Sequence, residues 1–146
     1  MKKRWESYVM YRQNEKLVEF WKEYYKDKSG AKVLFLLGKG FDPRMNNILK
    51  LFLENNPKQV LDCVAFDFPN EKDPVENKKL YEINSQQLAE LKDQYDFGYE
   101  ELQIDGSLPW DKRIAQMSRQ VIGKDMSAYN DVIMDVSSLP RAFYFN

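Results

Sequence analysis

Hydrophobic positions along the chain alternate between short apolar segments and longer stretches with helical spacing. An unbroken apolar run predicts a strand at residues 33–37, mainly apolar segments predict strands at 59–68 and 131–136, and a short strand is predicted at 101–104 before the turn residues Asp105-Gly106-Ser107. Apolar residues three or four positions apart predict four helices, at residues 5–27, 43–54, 76–92 and 111–122. The predicted order is therefore one helix, then a strand and a helix three times, then a final strand.

This alternation favours a mainly parallel sheet, because each parallel return needs a crossover and a helix supplies it. The sequence predicts an α/β fold, a three-layer Rossmann-like domain with a mainly parallel four-stranded sheet and an additional N-terminal helix. We expect residues 1–146 to form a single domain, with an amphipathic helix in 1–30 and the α/β core in 31–146. The aromatic Phe143-Tyr144-Phe145 follows the last predicted strand closely, so we expect a chain that continues in a longer protein or docks on a partner.

The first predicted helix carries an aromatic face opposite a charged face. Its apolar positions are Leu17, Phe20, Trp21, Tyr24 and Tyr25. Such a helix either packs across the sheet or forms an interface with another subunit.

Composition narrows the function classes. Apolar residues make up 43% of the chain, which is typical of a globular protein. The 22 basic and 23 acidic side chains nearly cancel, and this balance argues against a nucleic-acid-binding surface. No apolar run reaches membrane-spanning length and the N-terminus does not resemble a signal peptide, so we expect a cytoplasmic protein with no membrane contact.

The chain contains no histidine and one cysteine, Cys63, within an apolar run. The absence of histidine excludes a Ser-His or Cys-His catalytic pair and a His-ligated zinc. A serine nucleophile at Ser137 or Ser138 would lack its usual base, and Cys63 is interpreted as a core residue. No catalytic residue is assigned, and no metal is predicted.

The segment Gly38-Lys39-Gly40 lies between the first predicted strand and the helix that follows. Asp42 is predicted to cap that helix and Pro43 to be its first residue, where a missing N–H costs nothing. Backbone N–H groups at residues 38–44 are then expected to be free for a phosphate or carboxylate. The glycines equally fit a role in the turn geometry alone.

Polar side chains follow the ends of the predicted strands. Arg44 is able to form a bidentate pair with a ligand carboxylate or phosphate, and equally with Asp42 or Asp67. Asp67 ends the second strand, where an acid accepts hydrogen bonds from ribose hydroxyls in nucleotide-binding α/β domains; the alternative is a carboxylate that caps the next turn. Asp135 ends the fourth strand. For a magnesium site built from Asp42, Asp67 and Asp135, the spacing of these three acids in the sequence is the only support.

The stretch LLGKGFDPR at 36–44 resembles the first motif of S-adenosylmethionine-dependent methyltransferases of the leucine carboxyl methyltransferase type. The resemblance continues through FDFP at 66–69 and DVIMDVSSLP at 131–140, although Phe66 stands where that family has an additional acid. It implies that Gly38 and Gly40 border the methionine part of the cofactor, that Arg44 binds its carboxylate and that Asp67 binds its ribose.

LLGKGFD also resembles the GNGFD turn of abortive-infection and Sir2-like phage-defence proteins, which implies a nicotinamide nucleotide as ligand. We therefore expect an adenosine-containing ligand, S-adenosylmethionine or alternatively NAD. The predicted binding residues are Gly38, Lys39, Gly40, Asp42, Arg44, Asp67 and Asp135. The competing hypothesis is a non-catalytic interaction subunit or adaptor of a bacterial assembly, with partner or homo-oligomer contacts through the N-terminal helix and the C-terminal aromatic segment.

Overall fold

The computed structural model describes residues 14–68 and 73–141. In these residues the helices are α1 (Asn14–Tyr25), α2 (Asn47–Asn55), α3 (Val75–Tyr95) and α4 (Trp110–Ile122). The strands are β1 (Lys32–Lys39), β2 (Val60–Asp67), β3 (Gly98–Gln103) and β4 (Asp131–Met134), and a short 3-10 helix, Met126–Ala128, precedes β4. The order of helices and strands agrees with the prediction.

All four strands are parallel and lie in the order β3-β2-β1-β4. β1 is central: Lys32 to Lys39 pair with Val60 to Asp67 of β2 on one side, and Val33 to Leu36 pair with Asp131 to Met134 of β4 on the other. The predicted Rossmann-like fold with a parallel four-stranded sheet is thus confirmed.

Each face of the sheet buries a separate hydrophobic core because successive strand residues point to opposite sides. On one face, Phe35 and Cys63 pack with α1, α2 and α3. On the other face, Leu36 and Phe66 pack with Met117 of α4. These helices on both sides of the sheet make the three layers.

The aromatic face of α1 packs inward onto α2. The rings of Trp21 and Phe52 meet edge to face with centroids 5.0 Å apart, and Tyr25 approaches Phe52 in the same way at 5.8 Å. Trp21 and Tyr25 are both buried. The described part of α1 therefore supports packing within the chain; residues 5–13 of the predicted helix and Phe143-Tyr144-Phe145 lie outside the described residues. Among the described helices, none combines the length and apolar character that a membrane crossing requires.

Two predicted boundaries are wrong for local reasons. The second helix begins at Asn47 rather than Pro43, because the carboxylate of Asp42 accepts a hydrogen bond from the Arg44 amide (2.9 Å) and forms a separate turn first. The third strand begins at Gly98 rather than at residue 101. A Cβ at Gly98 would lie 2.1 Å from the Asp62 Oδ1 atom, so a larger residue at this position would require the Asp62 side chain to move.

Candidate functional site

The candidate site lies where strand order reverses. β1 is flanked by β2 on one side and by β4, which follows much later in the chain, on the other. The loops after β1 and β4 both leave the carboxyl edge of the sheet at this point, and open α/β sheets bind ligands in the crevice that such loops create. Here the crevice is a cavity of about 760 Å³, which we call the carboxyl-edge cavity.

The walls of this cavity combine aromatic, cationic and acidic side chains. The aromatic members are Phe41, Phe68, Tyr81 and Trp110. The cations are Lys39, Lys78 and Arg113, and the acids are Asp42, Asp73 and Glu82. Gly40 and the loop from Ser137 to Pro140 complete the lining. The volume and the mostly apolar walls with a few polar groups are typical of a small-molecule site.

The two glycines of the first loop have different surroundings. A Cβ at Gly38 would lie 2.4 Å from the carbonyl oxygen of Ser138, so only glycine lets the loop after β4 approach β1 this closely. A Cβ at Gly40 would meet nothing within 4 Å. Gly38 thus serves the packing of the two loops, whereas the residue at 40 borders open space at the cavity.

Backbone amides of the first loop are largely occupied by the protein itself. The Gly38 amide donates to Ser138 Oγ at 3.2 Å, the Gly40 amide to Met45 Sδ at 3.4 Å, and the Arg44 amide to Asp42 Oδ1 at 2.9 Å. The expectation that amides at 38–44 are free for an anion is wrong for these three. An anionic ligand in the cavity must therefore find other donors.

Arg44 and Asp42 form a bidentate ion pair. Arg44 Nε and Nη2 donate to the two carboxylate oxygens at 2.9 and 2.7 Å, and these bonds lower the pKa of Asp42 below its usual range. Arg44 Nη2 also lies 3.5 Å from the carbonyl oxygen of Ser137. Arg44 thus links the loops after β1 and β4, and the alternative in which it pairs with Asp42 is the one observed.

Asp67 lies behind the cavity wall rather than in it. It pairs with Lys39 across the β1–β2 ladder, as expected from adjacent strands, and it is only 4% exposed. Its Oδ2 accepts hydrogen bonds from the Tyr81 hydroxyl and from Gln103, both at 2.9 Å. Its Oδ1 is buried and has no hydrogen-bond partner among the described residues. Asp67 therefore does not line the cavity itself, but it accepts a hydrogen bond from Tyr81, which does.

Lys39 is held by Glu101 of β3. Its ammonium lies 2.9 Å from Glu101 Oε2, which also accepts a hydrogen bond from Tyr99 at 2.8 Å. Burial opposes ionisation of both partners, but the hydrogen bonds outweigh it, so the pKa of Lys39 is raised and that of Glu101 is lowered. The Lys39 charge is thus neutralised locally.

Asp135 follows β4 and is 5% exposed. Its Oδ1 accepts a hydrogen bond from the Ser137 amide at 2.9 Å, while its Oδ2 is buried without a partner among the described residues. Burial raises the pKa of Asp135 despite this bond. Asp135 shapes the turn that carries Ser137 into the cavity wall.

Asn84 of α3 is a residue that the sequence interpretation missed. Its buried side-chain amide donates to the carbonyl oxygens of Gly40 and Asp42, both at 2.8 Å. The Asn84 side chain therefore helps to fix the loop after β1 to α3, together with Asn46 of that loop, whose side-chain amide donates to the carbonyl oxygen of Asn84 at 2.9 Å. The available signal was a polar residue on the apolar stripe that Leu80 and Leu88 define at helical spacing.

Acidic and sulfur-containing side chains do not assemble into a metal site in the described part of the chain, where no group of three or more is close enough to hold an ion. The spacing of Asp42, Asp67 and Asp135 therefore gains no support as a magnesium site. Cys63 is buried, and burial raises the pKa of its thiol to about 12, which agrees with its interpretation as a core residue.

Two other cavities formed by described residues lie elsewhere. One, of about 480 Å³, lies at the opposite, amino edge of the sheet and is lined by Tyr24, Lys28, Asn130 and Asp131, among others. The other, of about 180 Å³, lies between α3 and β3. Neither lies at the crevice between the loops after β1 and β4, where ligands of open α/β sheets bind.

No family model and no curated protein matches the chain, so the resemblances to methyltransferases and to phage-defence proteins stay predictions. Among solved structures, the chain is similar to an NH3-dependent NAD synthetase from Campylobacter jejuni subsp. jejuni NCTC 11168 in complex with the nitrate ion, with a TM-score of 0.39 and 13% identity. The match covers 79% of this chain and 42% of that one, so the chain spans less than half the length of that structure. The fold assignment rests on the sheet topology and not on this likeness.

Proposed function

We propose that the chain binds an adenosine-containing, nucleotide-type ligand in the carboxyl-edge cavity. The observation that carries this proposal is the combination of aromatic and cationic side chains in one cavity of about 760 Å³ at the point where strand order reverses. Nucleotides need both kinds of group, because a base stacks on aromatic rings and phosphates bind cations.

The aromatic walls supply the surface for the base. Phe41 and Trp110 line the cavity with 44% and 50% of their surfaces exposed. Stacking of a base on such a ring contributes about 1–3 kcal/mol by alanine substitution in other proteins. The acids of the wall, Asp73 and Glu82, are of the type that accepts hydrogen bonds from ribose hydroxyls.

The predicted binding residues divide into two groups under this proposal. Lys39, Gly40 and Asp42 border the ligand directly, since they line the cavity. The others hold that lining in place: Gly38 and Arg44 join the two loops, Asp67 orients Tyr81, and Asp135 fixes the Ser137 turn. S-adenosylmethionine and NAD both contain adenosine and are the two ligands that the sequence motifs favour.

Replacement of Gly40 by valine is expected to weaken ligand binding at least tenfold without lowering the melting temperature. The added side chain meets nothing within 4 Å of its Cβ and occupies space beside the cavity. Isothermal titration calorimetry with S-adenosylmethionine, NAD and ATP measures the effect. Ala128→Val, an exposed position before β4, adds bulk at the other edge of the sheet and should bind like the unaltered protein. Absence of heat with every ligand, or equal affinity in Gly40→Val, contradicts the proposal.

The competing function is an interaction subunit, and one observation favours it. β4 forms an edge of the sheet. Val132 and Met134 on its α4-facing side, and Val136 just after it, are each almost half exposed. An unpaired edge strand with apolar neighbours favours pairing with another chain. Light scattering after size-exclusion chromatography tests this alternative: a dimer that Met134→Lys converts to a monomer supports it, and a monomer at all concentrations argues against self-association.

A further inference from the structure

Two cations that the sequence predicted to bind the ligand are already neutralised by acids of the protein. Lys39 is paired with Glu101 at 2.9 Å, and its side chain is only 13% exposed. Arg44, which does not line the cavity, is paired with Asp42 of the lining through two hydrogen bonds. Neither of these side chains offers an uncompensated charge to a ligand.

Arg113 of α4 is fixed in a different way. Its Nε donates to the carbonyl oxygen of Leu108 at 2.7 Å and its Nη2 to that of Gly106, while its guanidinium lies 4.8 Å from the centroid of the Trp110 ring. These partners are neutral. They hold the guanidinium in place without cancelling its charge, which is the preorganised state that favours anion binding.

No ion pair in the described part of the chain includes Arg113. Asp105 is near enough to contribute electrostatically, but its carboxylate accepts hydrogen bonds from the hydroxyl and the amide of Ser107. Those bonds, more than Arg113, lower the pKa of Asp105. Two of the five N–H donors of the guanidinium bind the loop carbonyls, and the remaining donors of this cavity-lining residue have no hydrogen-bond acceptor among the described residues.

We propose that Arg113 binds a phosphate group of the ligand, which makes the ligand class a phosphate-bearing nucleotide rather than a nucleoside or a nucleoside sulfonium such as S-adenosylmethionine. This inference rests on the nucleotide-type binding proposed above and adds the residue that recognises the anionic part. A planar guanidinium matches the geometry of phosphate oxygens bidentately. Trp110, which also lines the cavity and lies beside Arg113, places an aromatic surface next to the phosphate position.

The test compares ATP with adenosine on matched variants by isothermal titration calorimetry. We expect the unaltered protein to bind ATP more tightly than adenosine. Arg113→Gln should lose at least tenfold in affinity for ATP and keep its affinity for adenosine, which also shows that the cavity is intact. Arg113→Lys keeps the charge but not the planar group, so its affinity for ATP should lie between those of the unaltered protein and Arg113→Gln. Lys112→Gln removes the same charge from an exposed neighbouring position and should leave both affinities unchanged.

The outcomes separate the two proposals. Equal affinity of the unaltered protein for ATP and adenosine overturns the phosphate assignment but leaves nucleoside binding standing. If Arg113→Gln lowers the affinities for ATP and adenosine equally, Arg113 has a structural role, and the phosphate assignment is again overturned. If neither compound binds the unaltered protein, the assignment of Arg113 fails, and if S-adenosylmethionine and NAD also give no heat, ligand binding in this cavity fails with it.

Discussion

Replacement of Asn84 by aspartate is expected to lower the free energy of unfolding by about 3–5 kcal/mol at pH 7, the range for an uncompensated buried charge. The Asn84 side chain is buried and donates to the carbonyl oxygens of Gly40 and Asp42. A carboxylate of the same shape has no proton to donate and places negative charge against two acceptors. The loop after β1 would lose these two hydrogen bonds to α3 and keep the one that the Asn46 side chain donates to the backbone oxygen of residue 84.

The destabilisation caused by Asn84→Asp should be larger at high pH than at low pH. Burial among acceptors raises the pKa of the new carboxyl in the folded state above its unfolded value, so the folded variant binds the proton more tightly. Its stability deficit relative to the unaltered protein is therefore largest above the folded pKa and shrinks as the pH falls, when the protonated group regains one donor.

Urea unfolding of the Asn84→Asp variant at pH 7 and pH 4 measures the loss of unfolding free energy and the direction in which that loss changes with pH. Gln94→Glu makes the same amide-to-carboxylate change at an exposed position of α3 and should stay within about 0.5 kcal/mol of the unaltered protein. A deficit below about 1 kcal/mol, or one that does not change with pH, would show that Asn84 does not anchor the loop in the way the hydrogen bonds indicate.

Replacement of Gly38 by alanine is expected to destabilise the protein by about 2–3 kcal/mol, at the upper end for overpacking. The added Cβ would lie 2.4 Å from the carbonyl oxygen of Ser138 and 2.9 Å from its carbonyl carbon. Both are backbone atoms, so no side-chain rotation relieves the clash. The loop after β4 must move away from β1, and the hydrogen bond from the Gly38 amide to Ser138 Oγ is lost with it.

Gly40→Ala is the matched control for this substitution. The Cβ meets nothing within 4 Å, and Gly40 does not have a positive φ, so alanine should be tolerated or should stabilise by about 0.4–1 kcal/mol through the unfolded state. Thermal unfolding of the two variants compares them directly. Similar decreases in melting temperature in both variants would mean that the two glycines serve the same turn and would contradict the separate roles described above.

The fold was predictable from sequence because its signals are local. Short apolar segments identify the strands and helical spacing identifies the helices, and the alternation of the two implies parallel pairing. The position of Asp67 beside Lys39 followed from the same rule, since the second strand of such a unit lies next to the first.

The details of the site were less predictable because they depend on distant residues. Occupation of the Gly38 amide requires Ser138, one hundred residues later, and attachment of the Gly40 loop requires Asn84 on α3. Arg44 was a reasonable anion-binding candidate in sequence, yet Asp42, two residues away, takes its guanidinium. Arg113 gave no comparable signal, because only the packing of α4 and its preceding loop brings it to the cavity.

Hydrogen–deuterium exchange with and without ATP, NAD or S-adenosylmethionine tests the central claim, that the carboxyl-edge cavity is the ligand site. We predict that at least one of these compounds slows exchange in residues 38–44 and 137–141, whose loops line that cavity. Exchange at residues 24–31, which line the cavity at the amino edge, should not change. Unchanged exchange at both edges with all three compounds, or slowing confined to residues 24–31, would contradict the claim.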